Sequence, residues 1–205
     1  SATRKEKIKN FFINQRKKIF ALAIFFLLIL FSFIFFQEYK KDQRKQLANK
    51  YNSTIIEYEK GDRSKLQNSM REIIKDKDKT YSVLAFYYLL DNDLITSKKE
   101  INEYFDILID EIGLDTENKN LTIFKKGLFN SDFANENEML SILNPLIKSE
   151  SIWKPHALYL MAEYYFAKKE KQKSKEFLEK IISLEDINVK IKLQAQKRLR
   201  SDFSE

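Results

Sequence analysis

Hydrophobic and polar positions divide the chain into one continuous apolar run and a long stretch of periodic ones. Residues 19–36 carry no charge, and Ser32 is their only polar side chain. After them, apolar residues recur every three or four positions, the period of a helix with one buried face. Leu47, Tyr51, Ile55 and Tyr58 continue the first helix over 37–59, and Gly61-Asp62 stops it. Leu66, Met70, Ile73 and Ile74 predict a helix over 63–75. Asp76-Lys77-Asp78-Lys79 then reads as a solvated turn, with Thr80 as N-cap of the next helix. Further helices are predicted over 80–90, 94–111, 119–130, 136–149, 154–168, 171–184 and 187–200. Pro155 suits a first helical turn, and Pro145 should kink or end its helix. Short loops between helices of three or four turns imply antiparallel hairpins, so the fold class is all-α.

The apolar run is itself a helix candidate with no polar face. As a helix it spans about 27 Å, close to the hydrocarbon thickness of a bilayer. A soluble core helix would keep a polar stripe, so lipid is the expected solvent. A cleaved signal peptide would end in small residues, whereas this run ends in Phe35, Phe36, Gln37, Glu38 and Tyr39. The expectation is an uncleaved transmembrane helix over 19–36. Arg4, Lys5, Lys7, Lys9, Arg16, Lys17 and Lys18 precede it, opposed by Glu6, and Lys40, Lys41, Arg44 and Lys45 follow, diluted by Glu38 and Asp42. The bias predicts a cytoplasmic arm over 1–18 and a domain over 37–205 on the far side.

Charge changes the picture less than it first suggests. The net +7 of the whole chain sits almost entirely in residues 1–18, where membrane topology and anionic lipid explain it without nucleic acid. With no cysteine there are no disulfides and no thiol chemistry, and three glycines with two prolines are too few for a many-stranded domain. His156 is the sole histidine and no glycine-rich phosphate loop exists, so no His-based metal site or dyad can be built from this chain. Asp106, Asp110 and Glu111 read as a solvated helix face. Neither an enzyme nor a cofactor is expected.

Two segments share one spacing. Tyr81, Leu84, Ala85, Tyr88, Ser97, Ile101 and Tyr104 match Leu158, Met161, Ala162, Tyr165, Ser174, Leu178 and Ile181 position by position. Ala85 and Ala162 would let paired helices approach, Tyr88 and Tyr165 would fill between them, and Ser97 and Ser174 would leave room on the facing helix. This pattern resembles the tetratricopeptide repeat. Asn92 and Lys169 stand where that repeat's turn prefers glycine, and Asp186 where it prefers proline. Tyr104 and Ile181 replace a usual small residue. The two alanines are 77 residues apart, so the intervening hairpin, about 119–149, should be longer or irregular.

A basic arm, one anchor and a degenerate repeat domain together are similar to the YfgM type, the ancillary subunit of the bacterial Sec translocon. Residues 51–90 resemble that family's start and 143–184 its last repeat, with Trp153 shortly before the helix. The resemblance implies an inner-membrane protein with a periplasmic domain. Its implied partners are the translocon, a membrane-anchored periplasmic chaperone of the peptidyl-prolyl isomerase class, and emerging client chains. The repeat's concave surface carried onto this register falls on Ser82, Phe86 and Leu89, with Lys79 and Leu90, and on Tyr159, Glu163 and Phe166, with His156 and Ala167. The Lys/Asn clamp for a peptide carboxylate is not present there. These positions either line an apolar groove for a partner segment or are buried by neighbouring helices. Two other classes stay open: an anchored scaffold for another envelope process, such as cytochrome maturation or envelope assembly, and a structural homo-oligomerisation module.

Overall fold

The computed structural model describes residues 4–58, 63–185 and 187–203. Gly61, Asp62 and Asp186 lie outside the described residues, as do the side chains of Arg4, Lys5, Lys7, Lys9 and Tyr58. Two units are distinct, Ser1–Gly61 and Asp62–Glu205.

The first unit is one helix, α1 (Arg4–Tyr58), of 55 residues, about 80 Å long at 1.5 Å per residue. Residues 20–36 are exposed throughout, with Phe35 at 76% and Phe20 at 69%. Such exposure of aromatic and aliphatic side chains is stable in hydrocarbon and costly in water. Among the described residues this is the one helix long and apolar enough to cross a membrane. The helix runs on past its apolar stretch, as the period over 37–59 predicts. It continues for the 22 residues from Gln37 to Tyr58, so residues 37–58 belong with the first unit.

The second unit is helical throughout its described residues: α2 (Arg63–Lys75), α3 (Tyr81–Asp91), α4 (Lys98–Asp106), α5 (Thr116–Asn130), α6 (Glu136–Ile147), α7 (Lys154–Ala167), α8 (Lys171–Ile182) and α9 (Val189–Phe203). A π-helical turn, Ile107–Glu111, extends α4. The chain is therefore all-α, a long apolar helix followed by helical repeats. Local chemistry sets the helix ends. Asp115 and Asn135 accept from backbone N–H groups three residues on, and Glu138 reaches back to complete a capping box. Thr80 is at the N-cap of α3, but its side chain makes no cap bond. Asp78 caps instead, its Oδ1 accepting from the N–H groups of Thr80 and Tyr81 at 2.8 Å each. Pro145 sits in the last turn of α6, which ends two residues later, and Pro155 in the first turn of α7.

The closest pairings are α7 with α8, α2 with α3, α8 with α9 and α5 with α6. In the later half one cluster joins Met139, Leu143, Leu146, Leu158, Met161, Ala162, Leu178, Ile181 and Ala195. In the earlier half Phe86 is fully buried, its ring 4.8 Å from Phe105 and 5.9 Å from Tyr104. Polar ties cross the helices. Arg71 donates to Glu100 at 2.6 and 3.3 Å, joining α2 to α4. Asn102 and Asn130 exchange amide bonds of 3.1 and 2.8 Å between α4 and α5. With Asn130 almost fully buried, a slip between those helices would strand amide groups without partners. Gly127 marks the tightest approach. A Cβ there would lie 2.5 Å from Leu143 Cδ2 and 3.3 Å from Leu160 Cδ2.

The first of the two equally spaced segments departs from its expected packing. Helix α3 pairs along its length with α2, and meets the following α4 through the Phe86 ring against Tyr104 and Phe105. Leu84, expected to pack, is 43% exposed. Ser97, expected to leave room for a facing helix, is an exposed N-cap, its Oγ accepting from Glu100 N at 3.3 Å. The reason is the turn. Residues 92–97 carry Leu94 and Ile95 into the core, so α4 starts later than its counterpart α8.

Candidate functional site

The expected groove residues fall in two different environments. Ser82, Phe86 and Leu89 are fully buried, so none of them presents a surface to a partner. Ser82 donates to the Ile73 carbonyl at 2.7 Å and accepts from Asp78 N–H at 2.9 Å. It ties α3 to the end of α2. Helix α3 is covered on the side that the repeat spacing assigns to the groove, because α2 and α4 both pack there. Tyr159, Glu163 and Phe166 are half-buried, and α9 occupies two of them. Glu163 is held by Arg198 at 2.9 and 3.1 Å. The Arg198 guanidinium lies 4.4 Å from the centre of the Phe166 ring, with Phe203 edge-on at 6.0 Å. The burial alternative holds for the first set, and for Glu163 and Phe166 the last helix supplies the contact a partner would have made.

The other expected packing positions are placed as follows. Ala85 is buried, while Tyr81 and Tyr88 are half-buried. Leu158, Met161, Ala162, Tyr165 and Ser174 are all buried. Tyr165 also donates to Glu136 at 2.9 Å, and Lys173 binds the same carboxylate at 2.8 and 2.9 Å. The Lys173 bonds, followed by that of Tyr165, hold the Glu136 carboxyl below the usual range. The carboxylates Asp106, Asp110 and Glu111 do not converge on a site. They pair separately with Lys126, Lys119 and Lys77. Among the described residues no group of three or more metal-ligating side chains forms.

Open space lies elsewhere. A cleft of about 690 Å³ is bounded by the start of α7 and by the α8–α9 connection, and Ile152, Trp153, His156, Leu184, Ile187 and Ile191 line it. Ile152 is 68% exposed. Trp153 stacks on Phe124 at 5.4 Å, and His156 leans on both rings. Partial desolvation lowers the histidine's pKa from its ordinary value. A second cleft, about 420 Å³, lies between α3 and α5 and is lined by Val83, Leu84, Tyr87, Leu114, Leu121 and Lys125, among others. Lys125 Nζ sits 3.8 Å above the Tyr87 ring. Burial pushes the Tyr87 hydroxyl up to about 12, and it meets no hydrogen-bond partner among the described residues. Both clefts mix apolar side chains with polar ones, Glu150, Lys154, Ser183 and Asn188 in the first and Lys79, Thr80, Asp115 and Asn118 in the second, a lining that suits a partner segment of mixed character.

Sequence reasoning passed over Ile152, Leu184, Ile187, Val83 and Tyr87 as cleft residues. Ile152-Trp153 sits in a polar loop outside any helical period, and that isolation was the available signal. Val83 and Tyr87 flank the expected groove face by one position, so only the packing of α2 could show that the open side of α3 is rotated.

Residues 9–101 match the model of a tetratricopeptide repeat-like domain family. The match begins within α1 and ends within α4, and covers less than half of the chain. No curated protein and no solved structure matches the chain. The family match supports a tetratricopeptide-like protein, and repeat domains of this kind typically act as non-enzymatic scaffolds for protein–protein interaction.

Proposed function

We propose that the chain is a membrane-anchored scaffold that holds segments of other proteins in the open clefts of its helical domain. The observation that carries this is Ile152, 68% exposed beside Trp153 at the mouth of the larger cleft. Exposed apolar surface around a concavity is where a partner's apolar side chain gains most from leaving water. The anchor contributes by confinement, since a tethered domain meets membrane-bound partners at raised effective concentration.

The finer reading is a companion of the Sec translocon and of a membrane-anchored periplasmic chaperone, with the arm in the cytoplasm and the domain in the periplasm. Its support is the order of parts: basic arm, apolar helix, then a repeat-like match that runs through the anchor into α4. The Lys/Arg bias around residues 19–36 supports the orientation. A photoreactive amino acid placed at Ile152 or Leu84, and at Glu176 on α8 as control, tests it in native membranes. Adducts with the translocon channel or the chaperone are expected at the first two positions and not at the third. Adducts only with other copies of this chain would favour a homo-oligomerisation module. Adducts with a different envelope machinery would favour the scaffold class while removing the translocon.

A further inference from the structure

The last helix carries one face turned away from the core. Ile191 and Ala195 point α9 into the core, and Arg198 is engaged with Glu163 and Asp202. On the opposite side, Val189 at 69% and Leu193 at 54% are exposed. At 100° per residue, Lys190, Lys197 and Arg200 share that side, and all three are exposed. The charge is not a property of the domain at large. Residues 37–188 hold 25 basic and 27 acidic side chains, whereas α9 holds five basic residues against Asp202 alone. A fifteen-residue helix thus turns outward a stripe of two aliphatic side chains set among three cations.

We infer that this face of α9 docks on a bilayer surface rich in anionic phospholipid. The composition fits that occupant better than a further protein helix. The inner faces of α7 and α8 that pack on each other bring Met161, Ala162, Leu178 and Ile181 together. The outer face of α9 offers only Val189 and Leu193 in an equivalent stretch, too little apolar surface for a stacked helix. Cations reach phosphates at the headgroup level while the two aliphatic side chains enter the interface. Each cation near such a surface adds to binding, so three together shift the docking equilibrium by roughly 10²-fold. The inference rests on the anchored reading above, in which α1 tethers the domain to a bilayer.

The absence of cysteine makes a clean test available. The full chain carrying Gln194→Cys with an environment-sensitive fluorophore is reconstituted in vesicles of phosphatidylcholine alone, or with one third phosphatidylglycerol, each containing brominated lipid. A second variant carries the probe at Glu117→Cys on α5. Resistance to alkaline carbonate extraction reports the anchor separately, so loss of the anchored reading is distinguishable from failure of this one. Strong quenching of the α9 probe in the anionic vesicles is expected. It should be largely lost at high salt and in Lys190→Gln/Lys197→Gln/Arg200→Gln, with the α5 probe unaffected. Equal quenching in both lipids, equal quenching of the two probes, or a triple variant indistinguishable from the parent would overturn the inference. A probe that ignores lipid but responds to a synthetic Glu/Leu amphipathic peptide would overturn it too, and would make the face a protein docking site.

Discussion

Residues 81–104 and 158–181 share one spacing of small, apolar and aromatic positions, yet only the second copy folds as a hairpin of two consecutive helices. In that copy, α7 and α8 pack directly, separated by a turn of three residues. In the first, α3 turns back on α2, and six residues separate it from α4. The contrast shows what a repeat spacing encodes. It specifies which residues could face a neighbour, but turn length and the preceding helix decide which neighbour arrives. Ser174 lies buried in the first turn of α8, while Ser97, at the matching place, has become a cap.

The sharpest way to break this comparison is to delete side chains on opposite sides of α3. Phe86→Ala removes a fully buried ring that contacts Tyr104 and Phe105, and should cost about 3–5 kcal/mol. Leu84→Ala acts at an exposed position and should cost less than about 1 kcal/mol. Urea unfolding of the full chain in detergent, followed by helical circular dichroism, measures both. If Leu84→Ala proved the costlier of the two, α3 would be rotated as the repeat spacing has it, and the cleft between α3 and α5 would not be open.

The serines sharpen the comparison at a smaller scale. Ser97→Ala should cost about 0.5–2 kcal/mol, because it removes the side-chain acceptor for Glu100 N–H. Ser174 is buried at the matching place and caps nothing, so Ser174→Ala should be close to neutral. Equal losses at both would mean that the two copies use this position alike. The same unfolding measurement decides it.

Much of the fold was legible because it is local. The helices predicted over 63–75, 136–149, 154–168 and 171–184 from apolar period, with Pro155 in a first turn, form as Arg63–Lys75, Glu136–Ile147, Lys154–Ala167 and Lys171–Ile182. The long apolar helix was legible from composition alone. The site was not, because a groove is defined by what fails to cover it. Phe86 and Leu89 have the same apolar character whether they line a cleft or are buried by α2 and α4. For Glu163 and Phe166 the choice between groove and burial stays open until Arg198, 35 residues on from Glu163, arrives from α9. Gly127 read as punctuation, although it lies inside α5 where Leu143 and Leu160 crowd the backbone. Long-range neighbours decide each of these, and periodicity carries no information about them.

The smallest effect tests the comparison at the backbone. The repeat spacing asks for glycine at Asn92 and at Lys169, the turns that follow α3 and α7. In the second copy the backbone agrees, since Lys169 is left-handed at φ 66°. In the first it does not. Asn92 has φ −103°, and the left-handed residue is its neighbour Asp93 at φ 50°. Asn92 also closes the helix with its side chain, Nδ2 donating to the Tyr88 carbonyl at 2.9 Å. A side chain in the left-handed region costs roughly 1–2 kcal/mol, partly offset by the greater freedom glycine gives the unfolded chain. Lys169→Gly and Asp93→Gly should therefore stabilise by a few tenths to about 1 kcal/mol. Asn92→Gly should destabilise by about 0.5–1 kcal/mol, because it adds chain entropy and removes a cap without relieving strain. Thermal unfolding of the three single variants in one detergent and buffer resolves differences of this size. A gain at Asn92 equal to that at Lys169 would restore the common register, and the one-residue shift between the two copies would have to be abandoned.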